Sequence, residues 1–370
     1  RTTPKPHALH SRTSAMEGLV QKYSQGLEKL STPVKEDIGP RNVALVGSTG
    51  YLGPHLLASI LKLPSIASVY WLNSGSTVEK TLKSTGYQEI ECSRSIQFFV
   101  ANLASAKLGL SDGDFSEVSV KVDTIMHNSW HPSFSLSLSF FEKPFLLGLR
   151  KIVDWARRRP TPPRFVFISS IAGVGNWSKV VPSQPHIPES RIEDPDVAMH
   201  MGYGESKRAG QHMLQIAHDV CGIPISVVRI GQICGPSTQS GGKWPTQGWL
   251  LAIDTTSKAL GALPTRVAPV NWIPADALAT QITCVVTHAS TSVEYHVFNV
   301  VYPDVASWEL FLNVLRNRFS VDAGRISLPE WLNRLEERAN LNLEEQKKYV
   351  ALRFSDFLRS MGDWQRRYDK

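Results

Sequence analysis

Residues 203 to 207 read Tyr-Gly-Glu-Ser-Lys. A Tyr and a Lys four apart are neighbours on one helical face. A cation beside a phenol stabilises the phenolate and draws its pKa down from about 10, so Tyr203 can act as an acid toward an alkoxide forming on a carbonyl near neutral pH. A hydroxyl to orient that carbonyl should come from the end of the run Phe165-Val-Phe-Ile168, where Ser169 and Ser170 stand. Side chains alternate along a strand, so one of the two faces the site, and Ser170 is preferred over Ser169. Tyr-x-x-x-Lys also arises by chance in many helices; what lifts this one above chance is its company.

That company is Gly47-Ser-Thr49-Gly50-Tyr51-Leu52-Gly53, directly after the apolar run Val43-Ala-Leu-Val46. Gly47 permits a sharp turn off a strand, Gly50 lets the backbone approach a pyrophosphate, and Gly53 lets the following helix pack close to the sheet. A helix starting near Tyr51 aims its free amides and positive dipole end at the phosphates. The turn, the serine and the Tyr-Lys pair together describe nicotinamide-dependent carbonyl chemistry. The end of the second strand decides which nicotinamide is used. It reads Tyr70-Trp-Leu-Asn73-Ser74-Gly-Ser76 and has no acid to grip the ribose hydroxyls of NAD, which favours NADPH. It has no Arg either, which leaves a 2′-phosphate to Asn73, Ser74, Ser76 or the more distant Lys80 or Lys83.

These residues need a scaffold, and the chain alternates apolar β-branched runs with helical patterns, as a parallel sheet covered on both faces requires. Strands are expected at 42–47, 67–72, 95–100, 122–127, 164–169 and 225–230, and helices at 51–62, 77–86, 140–158 and 203–221. Gly222 and Pro224 stop the last helix. The expected fold is α/β, a Rossmann-type doubly wound parallel sheet with a smaller, mixed, largely helical C-terminal substrate domain. Residues 1–40 read as an interdomain linker with a short helix, within the amphipathic stretch from Met16 to Leu30, and 41–231 as the NADP-binding domain, with an excursion near 175–200 toward the substrate site. Residues 232–370 read as the substrate-binding region, of which about 265–300 returns to the sheet. Within it, Gly235 to Pro274 is loop-rich, Ser327-Leu-Pro-Glu330 is a capping box ahead of Trp331, Leu332 and Leu335, and the aromatics from Tyr349 to Phe357 read as core.

Composition narrows the class. The chain has 370 residues, 42% hydrophobic and 20% charged, more than one core usually serves. Cys92, Cys221, Cys234 and Cys284 are scattered and contain no C-x-x-C pair, so reduced thiols in a cytoplasmic setting are expected, with no metal site. No apolar run reaches the roughly 18 residues of a membrane span. The formal charge of +7 is spread without a basic stripe, which argues against nucleic acid and suits a slightly basic face toward an acidic protein partner. Asn176-Trp-Ser178 matches a glycosylation sequon, but no secretory segment accompanies it.

Taken together, the chain resembles the extended short-chain dehydrogenase/reductases over residues 40–361. More narrowly it resembles the terminal thioester reductase domains of nonribosomal peptide synthetases, polyketide synthases and aryl or aminoadipate reductases, especially fungal ones. The resemblance rests on the glycine turn, His127-Asn128-Ser129-Trp130 with Phe134 to Ser139, Phe165 to Ser170, Tyr203 to Lys207, Arg229-Ile230-Gly231-Gln232-Ile-Cys-Gly235, Trp244, Leu260 to Pro264 and Asn271-Trp-Ile-Pro-Ala-Asp276. It implies catalysis by Ser170, Tyr203 and Lys207. NADPH would be bound by Gly47, Thr49, Gly50, Tyr51, Leu52, Gly53, Asn73, Ser74, Asn102, Leu103, Asn128, Ser129, Tyr203, Lys207 and Ile230. Trp130, Ile171, Gly231, Gln232, Trp244 and Trp249 would line the acyl channel. It also implies an upstream carrier domain presenting a phosphopantetheine-bound acyl thioester, and a domain that is monomeric when excised. Two positions depart from the family: Ser74 stands where an Arg usually holds the 2′-phosphate, and Asn102 replaces a common Asp near the adenine.

Other functions share parts of this pattern. An extended-family epimerase, dehydratase or ketone reductase acting on a free small molecule has the same turn and Tyr-Lys pair, but needs no carrier-bound thioester. A redox-silent Dieckmann-type release domain normally lacks the active Tyr, and a dinucleotide-sensing module needs no Tyr-Lys pair at all.

Overall fold

The computed structural model describes residues 6–28, 41–47, 49–75, 95–159, 161–238, 244, 248–287, 294–319 and 323–368. The chain divides into two compact units, 1–243 with 273–300, and 244–272 with 301–370.

The first unit is built on seven parallel strands: β1 (Arg41–Val46), β2 (Ile66–Asn73), β3 (Ser95–Val100), β4 (Thr124–His127), β5 (Arg164–Ser170), β6 (Ile225–Ile230) and β10 (Tyr295–Val300). Their spatial order is β10-β6-β5-β4-β1-β2-β3, so the order reverses between β1 and β4. In a doubly wound sheet that reversal opens a crevice at the carboxyl ends of the strands. Register brings those ends to one edge: Val46 lies opposite both Leu72 and His127, His127 opposite Phe167, and Ser170 opposite Ile230. Two short strands beyond β6, β7 (Ile233–Cys234) and β9 (Ile273–Pro274), pair beside this edge.

Helices cover both faces, as the continuous apolar strands demand. On one face Ala44, Val46, Ile125, Phe165, Phe167 and Val227 pack against α4 (Gly148–Arg157) and α5 (Gly202–Cys221) through Leu149, Ile152, Val153, Met213, Leu214 and Ala217. On the other, Val43, Leu45, Trp71, Met126, Val166 and Val228 meet α2 (Leu52–Leu61) and α7 (Ala275–Thr287). α3 (Asp112–Lys121) precedes β4, with Ser111 capping its first turn. The expected helix over 140–158 is a short helix at Leu138–Phe141, a π turn at Glu142–Leu147 and then α4. Pro144 inside this segment lacks an amide, which disrupts regular α hydrogen bonding. The expected helix at 77–86 lies outside the described residues.

The N-terminal segment, expected as a linker with a short helix, carries a 19-residue helix, α1 (Pro6–Ser24), packed on α5. It buries Met16, Val20 and Tyr23. Arg150 donates to the Tyr23 and Gln25 carbonyls at 2.7 and 2.6 Å, and Lys22 pairs with Glu142 at 2.6 Å.

The second unit contains α6 (Trp249–Leu260), β8 (Ala262–Pro264), α8 (Trp308–Phe319), β11 (Gly324–Ile326), α9 (Leu328–Glu336) and α10 (Ser355–Tyr368). Its core is aromatic: Trp249, Trp272, Trp308, Phe311 and Phe357 have ring centroids 4.8–6.4 Å apart. Ser327 accepts from the Glu330 amide at 3.3 Å and starts α9, which buries Trp331, Leu332 and Leu335. The buried Trp331 indole donates to the Ala262 carbonyl at 2.9 Å, satisfying the one polar atom it takes into the core.

Candidate active site

The glycine turn sits where β1 gives way to α2. Gly47 has φ +76°, and a Cβ there would lie 2.3 Å from the Ser129 Cα, so both backbone sign and space restrict the position to glycine. Asn128 donates from Nδ2 to the Gly47 carbonyl at 2.9 Å and from its backbone amide to the Val46 carbonyl at 2.8 Å. Its amide side chain therefore braces the turn. Gly50 is exposed, and nothing lies within 4 Å of a Cβ built on it. α2 begins with no side-chain cap and no acid in its first turn, which leaves its amide end suited to an anion. Thr49 is exposed, and Leu52 and Gly53 are buried. Tyr51 donates to the Cys234 carbonyl at 3.2 Å and meets His55 edge-on.

At the end of β2, Asn73 is buried and Ser74 exposed, with no carboxylate between Tyr70 and Gly75. Ser76, Lys80 and Lys83 lie outside the described residues. After β3, Asn102 is exposed and its Oδ1 accepts from the Ala104 amide at 3.2 Å, while Leu103 is half-buried against the core. A dinucleotide fits these features on three counts: an obligatory glycine at the turn, open space over Gly50, and an uncapped helix end behind it.

Across the β1/β4 reversal, β5 and α5 carry the groups expected to be catalytic. Ser170 and Ser169 point opposite ways. Ser169 Oγ accepts from Gln211 Nε2 at 2.9 Å, and Gln211 in turn accepts from Arg229 Nε at 2.9 Å. Ser170 instead lies beside the Tyr203 hydroxyl and accepts from the Ala172 amide at 3.1 Å. Tyr203 is 8% exposed, with Phe134 and Phe141 against its ring at 5.8 and 6.3 Å. Burial pushes its phenol up to about 12, against the opposing pull of the neighbouring Ser170 hydroxyl. The sequence led us to expect a phenol lowered by Lys207. Instead Lys207, 3% exposed, donates to the Ile168 carbonyl at 2.6 Å and lies over the rings of Trp130 and Phe167 at 4.5 and 4.8 Å. Burial holds its pKa well below the usual lysine range. Tyr203 is thus a proton-bearing phenol throughout the neutral range.

The model of the family described as male sterility protein, an NAD-binding domain, matches residues 45–282. The chain belongs to this family. It is 32% identical over 381 residues to adenylate-forming reductase Nps11 of Serpula lacrymans, covering 96% of this chain and 34% of that protein. With the carboxylic acid reductase of Neurospora crassa it shares 28% over 373 residues, covering 98% and 34%. The chain thus spans about a third of the length of these curated relatives. Its fold matches the terminal R domain from the myxalamid PKS-NRPS pathway with a TM-score of 0.76 at 21% identity, over 92% of this chain and 85% of that one.

In this male sterility protein family member the remaining expected site residues separate into two groups. Ile171, Ile230, Gly231 and Gln232 stand half-buried at the carboxyl edge of the sheet; the Gly231 amide donates to the Val300 carbonyl at 2.9 Å, and the Gln232 carbonyl accepts from the Ile273 amide at 2.9 Å. Ser129 is half-buried with its backbone against Gly47. Trp130 packs on Phe145 and Phe167, and its indole donates to Ser206 Oγ at 3.0 Å, so it lies beside Lys207. Trp244 and Trp249 belong to the second unit, Trp244 exposed and Trp249 only 3% exposed in the aromatic core. The excursion near 175–200 folds around Val174, Trp177, Ile192 and Val197 and is tied down by Arg229, which donates to the Pro188 and Ser190 carbonyls at 3.1 Å each. Asn176 of the sequon is buried there.

Several residues around the site escaped the sequence reading. Gly202 and Gly204 flank Tyr203, and Cβ atoms there would stand 2.4 Å from the Leu136 carbonyl oxygen and 2.7 Å from that of Ala172. Their closeness to a candidate Tyr was the available signal. His127 is fully buried with neither ring nitrogen hydrogen-bonded, stacked among Trp130, Phe165 and Phe167; burial, with the Lys207 charge adding, lowers its pKa to about 3. Among the described residues no cluster of His, Cys, Asp and Glu could hold a metal, and no helix is long and apolar enough to cross a membrane.

Proposed function

We propose that this chain uses NADPH to reduce an acyl thioester, presented on the phosphopantetheine arm of a carrier domain, and so releases the acyl group as an aldehyde. The observation that carries the reading is the Ser170–Tyr203 hydroxyl pair, with Lys207 one helical turn on, set at the same sheet edge as the open glycine turn. The names of the relatives, adenylate-forming reductase and carboxylic acid reductase, fit an acyl group that is activated and then reduced. The shared fold with a terminal R domain fits reduction as the releasing step. The lack of a carboxylate between Tyr70 and Gly75, at the end of β2, supports NADPH over NADH.

The residues divide the work. Gly47, Gly50 and the amide end of α2 would hold the pyrophosphate; the cofactor, when bound, supplies the hydride. Ser170 and Tyr203 donate hydrogen bonds to the thioester oxygen, which gains negative charge as the carbonyl carbon is reduced. Tyr203 then gives that oxygen its proton, which the buried phenol retains at neutral pH. Lys207 donates one N–H to the Ile168 carbonyl and, one helical turn from Tyr203, would offer another to the nicotinamide ribose. The neutral thiohemiacetal breaks its C–S bond, and its hydroxyl proton ends on the sulfur, giving one aldehyde and one carrier thiol.

Purified protein should oxidise NADPH when offered an acyl-pantetheine thioester, with aldehyde detected by mass spectrometry. Tyr203→Phe should lower kcat by roughly two to four orders of magnitude with the NADPH Kd unchanged. Full turnover in the Phe variant would falsify the assignment of Tyr203. Turnover of free ketones or nucleotide sugars in place of the thioester would replace the substrate class.

A further inference from the structure

Between Tyr203 and Lys207 the motif places Glu205, a carboxylate 4% exposed in the first turn of α5. At 3.6 residues per turn, a residue two positions from Tyr203 points to the opposite side of the helix. There it meets α1: Arg12 donates from its guanidinium to Glu205, across 193 positions of sequence. Beside it, Thr13 donates to Asp196 in the segment leading into α5. The N-cap position of α5, Met201, offers no side-chain cap, and Gly202 and Gly204 press its first turn onto Leu136 and Ala172. The turn carrying Tyr203 is therefore held by backbone contact on one side and by the Arg12–Glu205 pair on the other.

A buried carboxylate without its cation is strongly unfavourable, and it relaxes by dragging its own backbone toward water or by taking up a proton. Either response moves the turn from which Tyr203 and Lys207 project. We propose that Arg12 and Glu205 are positioning residues for the reduction, and that α1, which lies ahead of the segment matched by the family model, is through them a working part of the active site. The inference rests on the thioester-reductase reading for its kinetic test, but its structural arm does not.

The experiment is a double-mutant cycle in the full chain. Arg12→Ala should lower kcat roughly tenfold, with KM for NADPH and for the thioester within about twofold of the parent, since small misplacements of reacting groups affect turnover before binding. Arg12→Lys should recover most of the rate. In the Glu205→Gln background, Arg12→Ala should cause no further loss, because a neutral amide needs no cation. The same four proteins are followed by amide hydrogen exchange over the first two turns of α5, where Arg12→Ala should lose protection and the double variant should not. Unchanged kcat and unchanged exchange in Arg12→Ala would overturn the proposal, as would equal losses from Arg12→Ala with and without Glu205→Gln. If the parent fails to reduce the thioester while exchange shows the coupling, the functional reading falls and the coupling stands.

Discussion

At the scale of single residues, the glycine turn separates what folding needs from what a ligand needs. Gly47 and Gly50 belong to one motif, yet one is hemmed in and the other open. A Cβ at Gly47 must clear Ser129 from 2.3 Å at a positive φ, whereas one at Gly50 meets nothing within 4 Å. Gly47→Ala is therefore expected to destabilise the protein by about 2–4 kcal/mol, read as a drop in the denaturation midpoint. Gly50→Ala should leave the midpoint within about 0.5 kcal/mol and weaken NADPH binding at least about tenfold, because the methyl occupies space over the turn. Equal NADPH affinity in the Gly50 variant would remove the pyrophosphate from this turn. Tyr203 with Lys207, and Ser169 with Ser170, could be singled out in the sequence because each spacing is local. The phenol's raised pKa was not legible, since it depends on Phe134 and Phe141 closing over the ring from far away in sequence. Nor was the pairing of Glu205 legible, since its partner Arg12 lies beyond any local pattern.

At the scale of elements, the strands were the readable part. Six were anticipated to within a residue or two, because a strand buried on both faces must be written as an uninterrupted apolar run. For α1 the extent was the unreadable part: Met16, Val20 and Tyr23 are its buried stripe, and the polar residues ahead of Met16 give no apolar period to mark its start. β4 shows how an element can carry a hidden titration. All four of its residues are buried, and the last, His127, has no hydrogen-bond partner for either ring nitrogen. Its pKa is lowered from 6.5 to about 3, so the folded state binds this proton less readily than the unfolded chain does. The stability it contributes is present above pH 6.5 and is lost as pH falls from there toward about 3. His127→Phe keeps a ring among Trp130, Phe165 and Phe167 without the titration. The variant's melting temperature relative to the parent should therefore rise progressively below pH 6.5, and a difference that stays constant across that range would show that His127 is not protonated on unfolding.

At the scale of the whole molecule, the division into units does not follow the order of the chain. The first unit is closed by residues 273–300, which return after part of the second has been laid down. The returning piece is structural: α7 packs Leu278, Ile282 and Val286 against Leu56, Leu57 and Ile60 of α2, Ser59 and Thr283 share a hydrogen bond at 2.8 Å, and β10 pairs along the whole of β6. A chain ended at residue 243 strips cover from α2, the helix whose amide end faces the glycine turn. Large apolar side chains are worth roughly 1.5–3 kcal/mol each when fully buried, so uncovering this seam removes an amount comparable with the whole net stability of a domain, about 5–15 kcal/mol. Residues 1–243 alone should accordingly aggregate or bind the hydrophobic dye ANS, and should show no saturable NADPH fluorescence enhancement. Residues 1–300 with 244–272 replaced by a Gly/Ser segment of similar length keep every strand of the seven-stranded sheet together with α7, and should bind NADPH within about tenfold of the full chain. Saturable NADPH binding by the 1–243 fragment would mean that α7 and β10 are dispensable to the cofactor site and that α2 holds its place through the sheet alone.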